Sequence, residues 1–323
     1  MARPRIAILD DYQRQALASA DWQAVRARGD ITVFDHHLQE DEAARILADF
    51  EVLCTMRERM ALPRSLLQRL RKLRFIAVTG PHHRTLDLDA AAELGITVSC
   101  TPRVAAGQFA TAELAWGLIL ALLRHIPAEA QNMREGGWQR TMGHALAGRC
   151  LGLLGLGRLG GYMAPIARAF NMNVIAWSQN LTEEAARSAG ALRVDKDVLF
   201  SESDIISVHL VLSERTRHIV GRRELALMKA GSYLVNTSRG GLIDKEALIE
   251  ALHAGAIAGA ALDTFDVEPL PDDDPLRRIP NVLLTPHLGY TVKETFQGFY
   301  EATVENIIAF FDGSPIRVLR NSP

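Results

Sequence analysis

Short runs of apolar, largely β-branched residues alternate with stretches of helical periodicity along the whole chain. In the first hundred residues Ile6–Leu9, Ile31–Phe34, Val52–Thr55, Phe75–Thr79 and Ile96–Ser99 predict strands, with helices between them such as Leu66–Leu73 and Asp87–Leu94. The stretch Val104–Arg124 predicts a long helix that stops before Pro127. A second series follows, with strands at Cys150–Leu154, Val174–Trp177, Ile205–His209, Tyr233–Asn236, Gly259–Leu262 and Val282–Thr285. Its crossover helices fall near Gly160–Phe170, Arg222–Leu227 and Lys245–Ala254. A last helical pattern, Thr291–Phe311, is expected to return to the first series. Such alternation implies parallel sheets with helices on both faces, hence two α/β units with the second inserted into the first.

Composition narrows the classes. A chain of 323 residues, 48% hydrophobic and 23% charged, is long enough for about two domains. Its net charge of -2 gives no reason to expect a nucleic acid partner. The basic cluster of Arg69, Arg71, Lys72 and Arg74 reads as a solvated helix end. The apolar stretch Phe109–Leu123 contains Glu113 and is shorter than the roughly 20 residues of a membrane span, so no membrane partner is expected. Cys54, Cys100 and Cys150 are too widely spaced for a disulfide framework or a zinc site. They read as small core residues of a reduced compartment, and no signal peptide is expected at MARPRIAILDDYQRQ, so a cytoplasmic protein is expected. The acidic run Asp272–Asp274 lies between prolines without a second ligand cluster, so no metal is expected.

The stretch LGLLGLGRLGGYMAPIARAF, Leu151–Phe170, carries Gly155, Gly157 and Gly160 between a strand and a helix, and the next strand arrives at the spacing of a βαβ unit. Gly155 permits the tight turn, Gly157 lets the backbone approach a pyrophosphate, and Gly160 lets helix and strand pack closely. The helix start at Arg158, Leu159 and Gly160 favours an anion. The following strand ends in Trp177-Ser178-Gln179-Asn180, where an acid would bind the ribose of NAD. Ser178 repels no 2′-phosphate and the tetrad offers no cation for one, while Arg158 is within reach of a phosphate; NAD and NADP both stay open.

Three later stretches place polar residues at strand ends, where open α/β sheets bind ligands. LVNTSRGGLID, Leu234–Asp244, carries Arg239, whose guanidinium suits a carboxylate. ALDTFDVEPLP, Ala261–Pro271, carries Asp263 and Glu268, and LLTPHLGY, Leu283–Tyr290, carries His287. Together they supply what hydride transfer at a 2-hydroxy acid needs: a cation for the carboxylate, a base for the hydroxyl proton, and an acid that holds the base.

In this order GLGRLG, NTSRGGLID, LDTFDVEPLP and TPHLGY resemble the D-isomer-specific 2-hydroxyacid dehydrogenase family over nearly the whole chain, and HLVLSERTRHIVG (His209–Gly221) and TAELAWGLILALLR (Thr111–Arg124) fit it too. The resemblance implies a Rossmann-type dinucleotide-binding domain, 102–292, inserted into a flavodoxin-like substrate domain, 1–101 plus 293–323. It implies that Arg239, Glu268 and His287 are catalytic, and that Thr237 and Asp263 lie with the cofactor. It implies a cleft between the domains, with Thr79, Gly80 and His83 on the substrate side and backbone N–H groups of Thr79–His83 offered to the substrate carboxylate. It further implies a homodimer using Thr101–Arg124, and a small 2-keto or 2-hydroxy acid as substrate, as in glyoxylate or hydroxypyruvate reductases. The family often has an asparagine where this chain has His83; His82, His83 and Arg84 crowd the loop, and Met56-Arg57-Glu58-Arg59, with Arg57 as a candidate substrate residue, follows a strand toward the same cleft, so these residues either suit an anionic or polar substrate tail or form its rim. A 3-phosphoglycerate-type dehydrogenase and a non-catalytic nucleotide-sensing protein are the alternatives; the end at Pro323 is expected to leave no C-terminal regulatory domain.

Overall fold

The computed structural model describes residues 3–320; Met1, Ala2 and the end at 321–323, on which part of the domain and terminus expectations fell, lie outside the described residues. The chain forms two units, the described parts of Met1–Gln108 with Val292–Pro323, and Phe109–Thr291.

In the first unit the strands are β1 (Arg5–Ile8), β2 (Asp30–Val33), β3 (Val52–Thr55), β4 (Phe75–Val78) and β5 (Thr97–Cys100). They pair in parallel in the order β2-β1-β3-β4-β5, the flavodoxin-like order. The chain leaves β1 toward one edge and re-enters at β3 toward the other, so the C-terminal ends of β1 and β3 flank the switch point. β3 and β4 are buried on both faces, which is why they read as unbroken apolar runs. The last helix, Lys293–Phe311, does pack on β4 and β5: Phe310 stacks on Phe75 with ring centroids 4.4 Å apart, and Asn306 Nδ2 donates to the Cys100 carbonyl at 3.0 Å.

In the second unit β6 (Cys150–Leu154), β7 (Asn173–Trp177), β8 (Leu192–Arg193), β9 (Ile205–Val208), β10 (Tyr233–Asn236), β11 (Gly259–Leu262) and β12 (Val282–Leu284) form one parallel sheet in the order β12-β11-β10-β9-β6-β7-β8. This is the doubly wound dinucleotide-binding order, with its switch point between β6 and β9. Helices cover both faces through two apolar clusters, one around Trp116, Leu151 and Met163, the other around Phe200, Leu248 and Leu276. Strand β8 escapes the pattern because it is two exposed residues on the sheet edge.

One helix differs from its expected span. Val104–Arg124 is helical only over Ala110–Leu123; residues 105–109 turn, with Gln108 N donating to the Ala105 carbonyl at 3.2 Å, and Gly107 is a poor helix former. At the other end, left-handed His125 (φ 53°) breaks the chain. Pro127 then lies in the first turn of a new helix, Ile126–Arg134, where its missing N–H costs nothing.

Candidate active site

The glycine stretch is the turn from β6 into the helix Arg158–Ala169. Gly155 sits at φ 105°, and a side chain there would press on the His209 backbone at 2.8 Å. A side chain at Gly160 would collide with the Gly155 carbonyl oxygen. Gly157 is different: nothing lies within 4 Å of where its Cβ would be. The approach at Gly157 is therefore open, beside the positive end of the helix and its first-turn N–H groups at Arg158, Leu159 and Gly160. Ser178 is half-buried just past β7, and Gln179 and Asn180 are exposed in the turn after it. The Thr237 hydroxyl and His209 Nδ1 are buried without a hydrogen-bond partner in the protein. An open pyrophosphate approach, an uncharged ribose end and unmatched buried polar atoms fit a dinucleotide. Gly157→Ala is expected to weaken NADH binding by about tenfold or more while leaving the thermal midpoint close to wild type, because the added Cβ meets no protein atom within 4 Å. Fluorescence titration reads the first and calorimetry the second; undiminished binding would contradict the assignment.

The three loops after β10, β11 and β12 carry the other expected residues, and these strands are neighbours in the sheet. After β10, Asn236 shapes the turn: its amide accepts from Ser238 N at 3.0 Å and donates to the Arg239 carbonyl at 2.8 Å. Arg239, half-buried, donates from Nη1 to the Ser238 carbonyl at 2.7 Å. Gly240 then lies flush against Phe265 and Asp266 of the next loop, where a Cβ would collide with their backbone. Phe265 N in turn donates to Glu268 Oε1 at 2.9 Å, and Glu268 Oε2 lies 2.6 Å from His287 Nδ1. The loop of Arg239 thus lies against the loop of Glu268, and Glu268 is paired with His287. The side chains of His287 and Glu268 keep 25% and 29% of their surface exposed, so the pair is reachable.

Asp263 is fully buried at the end of β11. One carboxyl oxygen accepts from the Thr285 hydroxyl at 2.6 Å and Leu288 N at 2.7 Å, the other from Gly289 N at 2.9 Å. Burial pushes this carboxyl up, against those hydrogen bonds and the nearby charge of His287. Asp263 therefore clamps the loop on which His287 sits in a left-handed conformation (φ 53°). Its placement with the cofactor residues carried no hint of this clamp.

In the first unit, Arg57, Thr79, Gly80 and His83 do gather at the C-terminal ends of β3 and β4. Two details correct the expectation. The Thr79 N–H donates to the Thr55 carbonyl (3.3 Å) and the Gly80 N–H to the Thr101 hydroxyl (2.7 Å), so both are engaged within the fold. The Arg57 guanidinium covers Gly80 instead, with Nη1 3.4 Å from the Thr79 carbonyl and the Arg57 N–H donating to the Thr79 hydroxyl at 2.7 Å. His83 is only 4% exposed, and burial pushes it down to about 4, so it adds no positive charge at neutral pH. His82 and Arg84 are the exposed members of that loop. The strand ends also gather residues that were not singled out, Asp10, Tyr12 and His37, and Arg59 joins them by donating to the Asp10 carbonyl. The polar run Asp10-Asp11-Tyr12 straight after a strand was the available signal.

His209 shares the position of His83: burial pushes it, too, down to about 4 from an ordinary 6.5. For both, the folded value lies below the unfolded one, so unfolding takes up protons in between. The stability they contribute is present in full above about pH 6.5 and is lost as the pH falls toward about 4. The thermal midpoint is expected to drop between about pH 7 and about pH 5, less steeply in His209→Asn. A midpoint flat across that range would contradict this.

A doubly wound dinucleotide unit presenting an arginine and a paired glutamate and histidine at adjacent strand ends is the architecture of a nicotinamide-dependent dehydrogenase. Residues 116–289 match the family model described as D-isomer specific 2-hydroxyacid dehydrogenase, NAD binding domain, and the chain belongs to this family. It is 39% identical to a glyoxylate reductase of Thermococcus litoralis over 259 residues, 77% of each chain. It is 38% identical to a hydroxypyruvate reductase of Thermotoga maritima over 91% of this chain and 94% of that one. A crystal structure of a putative D-3-phosphoglycerate dehydrogenase from Ralstonia solanacearum superposes with TM-score 0.90 at 34% identity, covering 97% of this chain and 96% of that one. Against a curated D-3-phosphoglycerate dehydrogenase of Methanocaldococcus jannaschii, 37% identical, the chain spans about half (54%) of the relative's length.

Proposed function

We propose that this protein reduces a 2-keto acid to the D-2-hydroxy acid, and runs the reverse oxidation, with Arg239, Glu268 and His287 as the catalytic set. The observation that carries this reading is the 2.6 Å contact between His287 Nδ1 and Glu268, on loops zipped to that of Arg239. A carboxylate only accepts hydrogen bonds, so Nδ1 carries a proton and Nε2 is the nitrogen that exchanges one with substrate. In reduction, imidazolium Nε2–H protonates the forming C2 alkoxide, and in oxidation the neutral ring takes the hydroxyl proton back. Glu268, itself fixed by Phe265 N, holds the ring orientation in both directions. Arg239 binds the substrate carboxylate as a planar fork. Arg57, Thr79, Gly80 and His83 shape the substrate side, with Arg57 as its cation. A bound nicotinamide dinucleotide, held at Gly155–Gly160, Ser178–Asn180 and Thr237, supplies or accepts the hydride.

The test is consumption of NADH and of NADPH with glyoxylate, hydroxypyruvate, pyruvate and phenylpyruvate. Turnover with any of them supports the reading, and the better cofactor reports what Ser178 selects. Dinucleotide binding without turnover of any 2-keto acid would overturn it. We also propose a homodimer and a cytoplasmic location. Exposed Ile126, Met133, Trp138 and Met142, clustered on the helix Ile126–Arg134 and the loop after it, support the first. Three free cysteines support the second. Light scattering in solution reads the oligomer.

A further inference from the structure

His287 holds a left-handed conformation (φ 53°), which a residue with a side chain keeps only where its surroundings impose it. The loop 285–291 shows what imposes it. Asp263 grips the N–H side, accepting from Leu288 N at 2.7 Å and from Gly289 N at 2.9 Å. The grip on the carbonyl side comes from a different element. The Thr111 hydroxyl, in the first turn of the helix Ala110–Leu123, donates to the Gly289 carbonyl at 2.8 Å. A side chain at Gly289 has little room: its Cβ would lie 3.0 Å from the Thr111 methyl carbon and 3.3 Å from an Asp263 carboxyl oxygen. Gly289, two residues beyond His287, is thus held between Thr111 and Asp263.

Thr111 is itself fixed against the dinucleotide side of the unit. Phe109, just before the helix, stacks on Tyr162 with ring centroids 4.1 Å apart and planes 8° apart. Tyr162 lies one turn into the helix Arg158–Ala169, which the glycine stretch opens. Farther along, Ala112, Ala115 and Trp116 are buried in the same apolar cluster as Met163 and Ala164. One helix start therefore touches the dinucleotide helix through Phe109 and the loop of His287 through Thr111. Hydride and proton go to adjacent atoms of one substrate, the carbonyl carbon and its oxygen, so their sources must keep a fixed separation. A misplacement of about 1 Å can cost about 10²-fold in rate. Valine would fill nearly the same space at 111, so what threonine adds there is the hydrogen bond.

We propose that Thr111 is a positioning residue: its hydroxyl fixes the loop of His287 against the helix that opens the dinucleotide site, and so sets where the proton is exchanged relative to the hydride. This rests on the reductase reading above and adds to it a residue that acts through the loop it holds.

The experiment compares wild type with Thr111→Val and Thr111→Ser. It reads kcat and KM for glyoxylate or hydroxypyruvate, whichever is turned over faster, and NADH affinity by fluorescence titration. Thr111→Val is expected to lower kcat about tenfold while KM and NADH affinity stay within about twofold of wild type. Thr111→Ser keeps the hydroxyl and is expected to recover most of the loss. The proposal is overturned if Thr111→Val keeps the wild-type kcat, if its loss lies in KM or NADH affinity instead, or if Thr111→Ser loses as much. Should Thr111→Val not fold, Gly289→Ala presses on Thr111 from the loop side and decides it: a like loss of kcat with NADH affinity kept supports the proposal, a wild-type kcat overturns it. Should wild type turn over no 2-keto acid, the reductase reading fails, and amide hydrogen exchange still judges the anchor. Faster exchange at Leu288 and Gly289 in Thr111→Val than in wild type and Thr111→Ser supports it, and equal exchange overturns it.

Discussion

His287→Gln is expected to lower turnover of the preferred 2-keto acid by about 10²-fold or more, the scale of general acid–base catalysis. Glutamine keeps a hydrogen-bonding group close to the position of the ring but exchanges no proton. Asp263 holds Thr285, Leu288 and Gly289 around the substituted residue, so the loop is expected to keep its path. The variant should therefore bind dinucleotide as wild type does while failing at chemistry. Glu268→Gln is a graded companion. It keeps the contact to Phe265 N but removes the charge beside Nδ1, so it is expected to shift the pH profile of kcat as well as its height. Stopped-flow turnover with separately measured cofactor affinity checks both. Wild-type turnover in a folded His287→Gln protein would remove His287 from the chemistry.

Much of this site was legible along the chain because each of its residues lies in the loop that follows a strand. Cys150–Leu154, Tyr233–Asn236 and Gly259–Leu262 are strands over the spans their apolar runs imply, and Gly155, Thr237 and Asp263 follow them directly at the C-terminal edge. What could not be read is what the sheet order creates. Asp10 and His37 lie 27 residues apart and meet because β1 and β2 pair. The Gly80 N–H was expected to face substrate, yet Thr101 reaches it from beyond β5. His83 looked like added positive charge, but a histidine's charge depends on burial, which no local pattern reports. Gly240 lets two loops touch, a role that the stretch around Arg239 does not announce.

Arg239→Ala is expected to lower kcat/KM for the 2-keto acid by about 10²- to 10³-fold, as when one partner of a desolvated charged pair is removed. Most of the loss should appear as a raised KM, since the guanidinium is assigned to the substrate carboxylate. Part should appear in kcat, since the same grip aligns C2 with Nε2 of His287. The loop should survive the change: Asn236 holds the Arg239 main chain through its carbonyl, and Gly240 rests on Phe265 and Asp266 whatever side chain precedes it. Arg239→Lys separates charge from shape. An ammonium keeps the attraction but not the planar fork, so it is expected to recover only part of the loss, and more of it in KM than in kcat. Steady-state kinetics of both variants at saturating cofactor give the split. An unchanged KM in Arg239→Ala would mean that the carboxylate is not held by Arg239.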